Sequence, residues 1–255
     1  MVQNLQQIKG GSLIKMQRDS ITFNNKNSFL DFNILMESYT ISSPYKRKYT
    51  ATIPFSSSSF DFTNILGEDN FYDDRDLKFV FSYVGTSKEE MRTKLSDITE
   101  WLLETRGKSE LYIGNDTGMY YLAEVEEDIQ FETFDRACTF TVFMKAKPFR
   151  YGHCLEGTYK EWDCFNFIED VLQETVFNLY KETRDVIIHN VGRRVIPIIK
   201  VEGNAVEVNV NGFTTTLNAG THKNYSIILN KGANNIKLKS TGTSKIEFEF
   251  RKEKL

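Results

Sequence analysis

The sequence predicts a mainly β protein with one α-helix, divided into a β-rich N-terminal domain and a C-terminal β-sandwich. Short runs of alternating apolar and polar residues, bounded by turn residues, recur along the chain and indicate strands. One segment, over residues 87–107, stands out by its helical periodicity. The length of 255 residues fits two domains of roughly 100–150 residues each.

The composition excludes several classes of protein. With 32 basic and 35 acidic residues the net charge is -3, which argues against binding of nucleic acid through its phosphates. No apolar run reaches the roughly 18 residues of a membrane span, and residues 1–16 lack the apolar region of a secretory signal. Three cysteines without a CxxC motif imply neither a disulfide framework nor a zinc ribbon.

The predicted domains meet at residues 148–152. Residues 1–16 are expected to form a flexible leader, because Gly10, Gly11 and Ser12 are flexible and no clear strand precedes Asp19. Residues 17–150 form the N-terminal domain, and residues 151–255 form the C-terminal sandwich domain. The net charge changes at this point, from -4 over residues 1–150 to +1 over residues 151–255.

The helix is predicted from its caps and its apolar stripe. Ser87 as the N-cap and Glu90 three residues later form a capping box. Arg106 is placed in the last turn, and Gly107 can adopt the left-handed conformation that ends a helix. The apolar residues at helical spacing, widened by Trp101, are Met91, Leu95, Ile98 and Leu102. This pattern predicts a core helix packed on a sheet.

Alternation predicts the strands of both domains. Residues 77–84 are predicted as a mostly buried strand, and residues 129–134 and 137–146 as a hairpin around Asp135 and Arg136. In the second half, Asn211 and Gly212 indicate a type I′ hairpin turn. The seven strands predicted there are 186–189, 196–201, 205–210, 213–217, 225–229, 235–238 and 245–250. Short strands of near-even spacing indicate a sandwich or a barrel.

The sequence contains no recognisable catalytic or metal-binding motif. GxSxG, P-loop, HExxH and GxGxxG patterns do not occur. His153, His189 and His222 have no second ligand at metal-binding spacing, and His153 and Cys154 with Cys164 would lack a fourth ligand. We therefore predict no catalytic residue, no metal ion, no cofactor and no enzymatic activity.

Two groups of acidic residues are the most pronounced charged feature. The first contains Glu68, Asp69, Asp73, Asp74 and Asp76, and the second contains Glu124, Glu126, Glu127 and Asp128. Three interpretations are open: a glycosidase acid–base pair, a solvated acidic loop and strand end, or repeated copies that line a channel and repel passing DNA. The first group lacks the spacing of a calcium loop.

The order of segments along the chain points to a known family. In order, these segments are SITFNNKNSFLDFNI (20–34), TIPFSSSSFDF (52–62), FYDDRDLKFVFSY (71–83), the capped helix, GMYYLAEVE (118–126), KAKPFRYG (145–152), HNVGRRVIPIIKVEG (189–203) and NKGANNIKL (230–238). Over nearly all of residues 17–255, this order resembles the distal tail protein family, the baseplate hub component of long-tailed phages of Gram-positive hosts. Asn25 stands where a Gly is common in that family, and residues 56–59 replace a Gly-containing turn.

The resemblance implies a structural protein of the virion, at the phage tail tip, assembled in the host cytoplasm. The N-terminal domain would form a homohexameric ring around a lumen through which DNA passes without specific binding. The C-terminal domain would be galectin-like and point outward. The implied partners are further copies of the chain, the tail tube protein, the tail-associated hub or fibre protein and receptor-binding proteins, with no membrane insertion.

The roles that the resemblance implies, combined with the residue pattern, give two sets of candidate site residues. The candidate ring contacts are Tyr49, Thr52, Ile53, Phe55 and Phe60, because exposed strands rich in aromatic residues favour interfaces. The candidate lumen-facing acidic residues are Glu68, Asp69, Asp73 and Asp74, because a conduit for DNA should not be basic.

Two other functions are weighed against the ring. A carbohydrate-binding sandwich for host cell-wall attachment would use an exposed aromatic residue, for which Phe213 and Tyr225 are the candidates, while Trp162 lies before the strands. A peptidoglycan hydrolase would need a metal or nucleophile set that the sequence does not contain.

Overall fold

A computed structural model describes residues 5–9, 12–16, 20–52, 54–55, 59–63, 70–114, 118–126, 128–157 and 165–255. The chain divides into two compact units, one formed by residues 1–116, 120–150 and 255, the other by residues 117–119 and 151–254. The strand that crosses from one to the other runs unbroken through residues 148–152, where a boundary is predicted.

Among the described residues before residue 153, the chain forms twelve strands and one helix. Their bounds are β1 (Leu5–Lys9), β2 (Ser12–Met16), β3 (Ile21–Phe23), β4 (Lys26–Asn27), β5 (Leu35–Ile41), β6 (Thr50–Thr52), β7 (Ser59–Asp61), β8 (Arg75–Val84), α1 (Lys88–Leu103), β9 (Ser109–Ile113), β10 (Met119–Val125), β11 (Gln130–Phe134) and β12 (Ala137–Gly152). The main sheet has the order β4-β3-β9-β10-β12-β8-β5, and β11 also pairs with β12.

The N-terminal segment contains an element that the sequence did not indicate. β1 and β2 form an antiparallel hairpin, with Leu5 opposite Met16 and Lys9 opposite Ser12. The expectation that no strand precedes Asp19 is therefore wrong. The two glycines expected to give a flexible segment, Gly10 and Gly11, lie between the paired strands and outside the described residues.

The centre of the first unit is the pairing of β8 with β12. Ten residue pairs join them, from Val84 opposite Ala137 to Arg75 opposite Ala146. One face of both strands is buried, and its members include Leu77, Phe79, Phe81, Tyr83, Cys138, Phe140, Val142 and Met144. The prediction of a mostly buried strand holds for one face of β8 only, because Lys78 and Val84 lie on the exposed face.

Helix α1 packs its apolar side into this core. Ser87 is the N-cap and accepts a hydrogen bond from Glu90 N at 3.1 Å, which confirms the predicted start. The indole of Trp101 is buried, donates from Nε1 to Phe23 O at 2.8 Å and stacks on Phe32. The helix ends at Leu103 with no basic residue in its last turn, so Arg106 and Gly107 belong to the following turn.

The second unit is built from two four-stranded antiparallel sheets around one apolar core. The strands are β13 (Val176–Tyr180), β14 (Thr183–Asn190), β15 (Ile198–Gly203), β16 (Val206–Val210), β17 (Phe213–Leu217), β18 (Gly220–His222), β19 (Gly232–Ser240), β20 (Thr243–Glu249) and β21 (Glu253–Lys254). The sheet orders are β13-β20-β15-β18 and β14-β19-β16-β17, while β21 pairs with β12. The predicted mainly β fold with one helix and a C-terminal sandwich is confirmed.

Local sequence signals explain most of this sandwich, with one exception. Asn211 and Gly212 both have positive φ and connect β16 to β17, as a type I′ turn requires. The strand predicted over residues 225–229 is not formed. Instead, the Asn224 side chain accepts a hydrogen bond from Ser226 N at 2.9 Å, which closes a turn, and only Leu229 forms a β-bridge, to Val195.

A buried ion pair fixes the segment that leads into the sandwich. Lys252 Nζ lies 2.5 Å and 2.7 Å from the two carboxylate oxygens of Asp170, and both side chains are almost fully buried. Asn166 N also donates to Asp170 at 2.9 Å. The neighbouring pair of Lys254 and Glu169 lies at the surface.

Removal of the Asp170 charge tests this anchor. We expect Asp170→Asn to reduce the free energy of unfolding by about 3–5 kcal/mol, because it leaves the Lys252 ammonium buried without its counter-charge. The matched control is Glu169→Gln, which removes the exposed neighbouring pair and should cost about 0–1 kcal/mol. Urea unfolding measures both, and equal losses in the two variants would contradict the assignment.

The capping box gives a pH-dependent prediction. Hydrogen bonds from the Thr86 side chain and backbone lower the pKa of Glu90, so its contribution to stability is present above the ordinary pKa of about 4.3 and lost as the pH falls through the lowered value. Glu90→Gln should therefore be less stable than the wild type at pH 7, and the difference should shrink at acidic pH. Glu89→Gln in the same turn is the control. A deficit independent of pH in urea unfolding would refute the prediction.

Candidate functional site

A long β-arm, formed by the described part of residues 42–76, leaves the main sheet between β5 and β8. Its base is a ladder of backbone hydrogen bonds: Ser42 N to Asp76 O at 3.0 Å, Asp73 N to Tyr45 O at 2.9 Å and Arg47 N to Phe71 O at 2.8 Å. Its far end is the hairpin of β6 and β7, in which Thr50 pairs with Asp61 and Thr52 with Ser59.

The arm exposes aromatic side chains on both faces. Every residue of β6 and β7 is exposed, and the Phe55 side chain is fully exposed. The exposed aromatic residues of the arm are Tyr45, Tyr49, Phe55, Phe60, Phe62 and Phe71. An isolated two-stranded hairpin is only marginally stable in water. Burial of the exposed aromatic side chains against a partner would therefore stabilise the arm.

Four of the five candidate ring contacts lie on the described part of the arm. Tyr49 N donates to Thr63 Oγ1 at 3.1 Å, Thr52 ends β6, and Phe55 occupies a turn with a φ of 62°. The rings of Phe60 and Phe62 are tilted against each other, with 6.0 Å between their centroids. Ile53 lies outside the described residues, and the strand predicted over residues 49–55 is limited to Thr50–Thr52.

The acidic residues at the start of β8 are held in ion pairs. Asp73 accepts a hydrogen bond from Arg47 Nε at 2.6 Å, and this bond raises the pKa of Arg47. Lys108 Nζ lies 3.0 Å from Asp74 and 2.8 Å from Glu124. Of the candidate lumen residues, Asp73 and Asp74 are therefore placed at the base of the arm, while Glu68 and Asp69 lie outside the described residues.

Two lysines bring together the two acidic groups that the sequence left apart. Lys108 bridges Asp74 and Glu124, and Lys145 Nζ lies 2.8 Å from Asp76 and 3.8 Å from Glu126. We name these four carboxylates with their two lysines the acidic surface. Within this set of six side chains, the carboxylates outnumber the ammonium groups by two.

The pKa values of the two lysines follow from this arrangement. Burial lowers the pKa of Lys108, but its hydrogen bonds to Glu124 and Asp74 outweigh that effect and raise it above its usual range. The hydrogen bond to Asp76 raises the pKa of Lys145. Both lysines stay charged at neutral pH, so they are fixed counter-ions and not proton donors for catalysis.

Arg75 is a buried cation that sequence reasoning missed. Its Nη2 donates to Pro148 O, and its guanidinium lies 5.5 Å from the Tyr121 ring centroid. Its Nε has no hydrogen-bond partner among the described residues. Burial lowers the pKa of Arg75.

The described residues do not assemble a reactive centre. They contain no group of three or more metal-ligating side chains. Cys154 is disulfide-bonded, although the sequence implied no disulfide framework, and this bond removes Cys154 as a metal ligand. Cys138 is free and buried, and burial raises the pKa of its thiol, which keeps it protonated and unreactive. Among the described residues, no helix is long and apolar enough to cross a membrane.

Comparison with solved structures shows a likeness of fold along most of the chain. One of the matching structures is the Dit protein (gp 19.1) of SPP1, described as a paradigm of the hub adsorption apparatus in phages that infect Gram-positive bacteria. The match has a TM-score of 0.60 and 13% sequence identity, and it covers 92% of this chain and 99% of the Dit chain. The chain therefore has a Dit-like fold over almost its whole length. No family model and no curated protein matches the sequence.

Proposed function

We propose that this protein is a hub component of a phage tail tip, a structural ring protein without catalytic activity. The observation that carries the proposal is the end-to-end likeness to a hub protein, which includes both units and covers 99% of that chain. The arm adds independent support, because its hairpin strands are exposed throughout and it carries several exposed aromatic side chains, which are enriched at interfaces.

We propose that six copies close into a ring and that the arm of each copy packs on a neighbour. The ring contacts are Tyr49, Thr52, Phe55 and Phe60, with Ile53 on the same segment. A heterologous contact, arm of one copy to body of the next, generates a ring when its rotation closes. The tail tube protein and the tail-associated hub or fibre protein are the partners of such a ring in the virion, and receptor-binding proteins are further partners.

The ring hypothesis predicts an assembly that depends on the arm. We expect the wild-type protein to elute at six times its chain mass of 29.6 kDa, and the double variant Phe55→Ser with Phe60→Ser to elute as a monomer. Burial of one Phe contributes about 1.5–3 kcal/mol, so two losses raise the concentration needed for assembly by at least about 100-fold. Size-exclusion chromatography with light scattering is the measurement.

A matched control separates this effect from a general loss of apolar surface. Tyr180→Ser with Ile187→Ser removes two exposed apolar side chains of the second unit and should leave the hexamer intact. A wild-type monomer at micromolar concentration, or an arm variant that still forms hexamers, would overturn the assignment.

We further propose that the acidic surface, together with Asp73, Glu68 and Asp69, faces the lumen and keeps DNA from adhering during passage. Its support is that four carboxylates meet two lysines in the ion pairs of the acidic surface. Like charges facing DNA weaken its attraction to the wall, and salt screens this effect.

Charge removal tests the lumen assignment in assembled particles. Phages that carry Asp74→Asn with Glu126→Gln should eject DNA more slowly than the wild type at low salt, and the difference should fall as salt rises. Asp185→Asn with Glu207→Gln, which neutralises two weakly paired carboxylates of the second unit, is the control. Ejection at the wild-type rate in the acidic-surface variant would remove the lumen assignment.

A further inference from the structure

The face of the main sheet that lies opposite the core carries an exposed apolar patch at one end. Val84 is 72% exposed, Phe134 is 84% exposed and Leu35 is 53% exposed. These residues alternate with core residues along β8, β11 and β5, so their side chains point away from the core. We name as the acceptor patch the neighbouring side chains of Leu35, Ser82, Val84, Phe134, Ala137 and Thr139.

The strand register places the side chains of the acceptor patch next to one another. Ala137 lies opposite Val84 on one side and opposite Phe134 on the other. In the next row of the sheet, Ser82 lies opposite Leu35. The six side chains carry no charge. Apolar groups of a partner can therefore cover the patch without burying an unpaired charge.

Fixed contacts hold the acceptor patch in place. Gly85 N donates to Arg136 O at 2.8 Å, which ties the turn between β11 and β12 to the end of β8. Arg136 Nη1 donates to Thr86 O at 3.3 Å, and Lys88 Nζ lies 3.3 Å from Asp135. These groups form a polar rim at the edge of the patch, as is usual in protein–protein interfaces. A surface held in this way loses little conformational entropy when a partner covers it.

The acceptor patch and the arm lie at opposite ends of β8. The arm returns to β8 at Asp76, beside the pairing of Ile41 with Leu77. Val84 follows Leu77 by seven positions on β8, which corresponds to about 23 Å at the rise of an extended strand. The arm and the patch are therefore two separate surfaces, as a head-to-tail contact between copies of one chain requires.

The arm presents enough apolar surface for a stable contact. Its six exposed aromatic side chains, at their exposed fractions and about 150–250 Å² for a whole side chain, offer roughly 700–800 Å². Each partner in a stable interface buries about 800 Å². An aromatic arm of this size needs an opposite surface with an apolar centre, and the acceptor patch supplies one.

We propose that the acceptor patch of one copy receives the arm of the neighbouring copy, with Phe55 and Phe60 of the arm covering Val84 and Phe134. This inference rests on the proposed ring and names the surface of the body that the ring contact uses. Aromatic pairs add stabilisation beyond the area that they bury. Each copy contributes its arm to one neighbour and its patch to the other, so all contacts in the ring are equivalent.

Charged substitutions in the acceptor patch test the proposal. Val84→Glu with Phe134→Glu should convert the hexamer to a monomer at micromolar concentration, because two carboxylates would lose their water against aromatic rings. The matched control is Leu30→Glu with Leu103→Glu, which changes two exposed apolar side chains of the same unit outside the patch and should leave the hexamer intact. Size-exclusion chromatography with light scattering measures the mass of each.

A mixture of two defective chains tests the head-to-tail geometry. The acceptor-patch variant keeps its arm, and the arm variant Phe55→Ser with Phe60→Ser keeps its acceptor patch. An equimolar mixture should form a dimer of twice the chain mass of 29.6 kDa and no ring, because one intact contact joins the two chains. Formation of this dimer also shows that the acceptor-patch variant is folded.

The outcomes separate this inference from the proposed function. Hexamers of the acceptor-patch variant, or a mixture that stays monomeric, would overturn the patch as the receiving surface and leave the ring proposal standing. Equal loss of the hexamer in the control variant would also overturn the patch. A wild-type chain that is monomeric would overturn the ring itself and this inference with it.

Discussion

The first unit depends on one interaction, the ten-residue pairing of β8 with β12. A slip of this register by one residue would turn Phe79 and Phe81 to the solvent and bring Lys78 into the core. The same pairing sets where helix α1 packs and where β5 pairs on the free edge of β8. Since the arm leaves from β5 and returns into β8, its position is also a consequence of this register.

The two units expose different kinds of surface. The arm of the first unit is aromatic and open on both faces, which suits burial against protein. The second unit has a small cavity beside the exposed ring of Tyr225, and Val195 in its lining is joined to Leu229 by two backbone hydrogen bonds.

Interactions between residues that are close in the sequence explain the elements that were predicted correctly. The capping box at Ser87 and the turn at Asn211 involve residues within a few positions of each other, so their signals can be read from the chain. The burial of alternating residues in β12 and β20 follows in the same way. The end of α1 was misplaced because Gly107, a good helix terminator, acts in the turn after Leu103.

What the sequence did not predict depends on contacts between distant residues. Lys108 joins two acidic groups that lie fifty positions apart, and the buried pair of Asp170 and Lys252 spans 82 positions. The short strands β13 and β18 have weak alternation and exist because β20 and β15 pair with them. The cavity is predictable only in part: the sequence marks Tyr225 as a candidate aromatic residue but predicts a strand over its segment, and no local signal links it to Arg194.

The closed base of the arm makes it a separable part. Ser42 and Asp76 are joined by a backbone hydrogen bond of 3.0 Å, directly beside the pairing of Ile41 with Leu77. The two ends of the insertion therefore meet at the point where β5 and β8 would connect through an ordinary tight turn. The arm can therefore become longer, become shorter or be exchanged during evolution without disturbing the main sheet. Related chains can differ greatly in the arm and still share the rest of the fold.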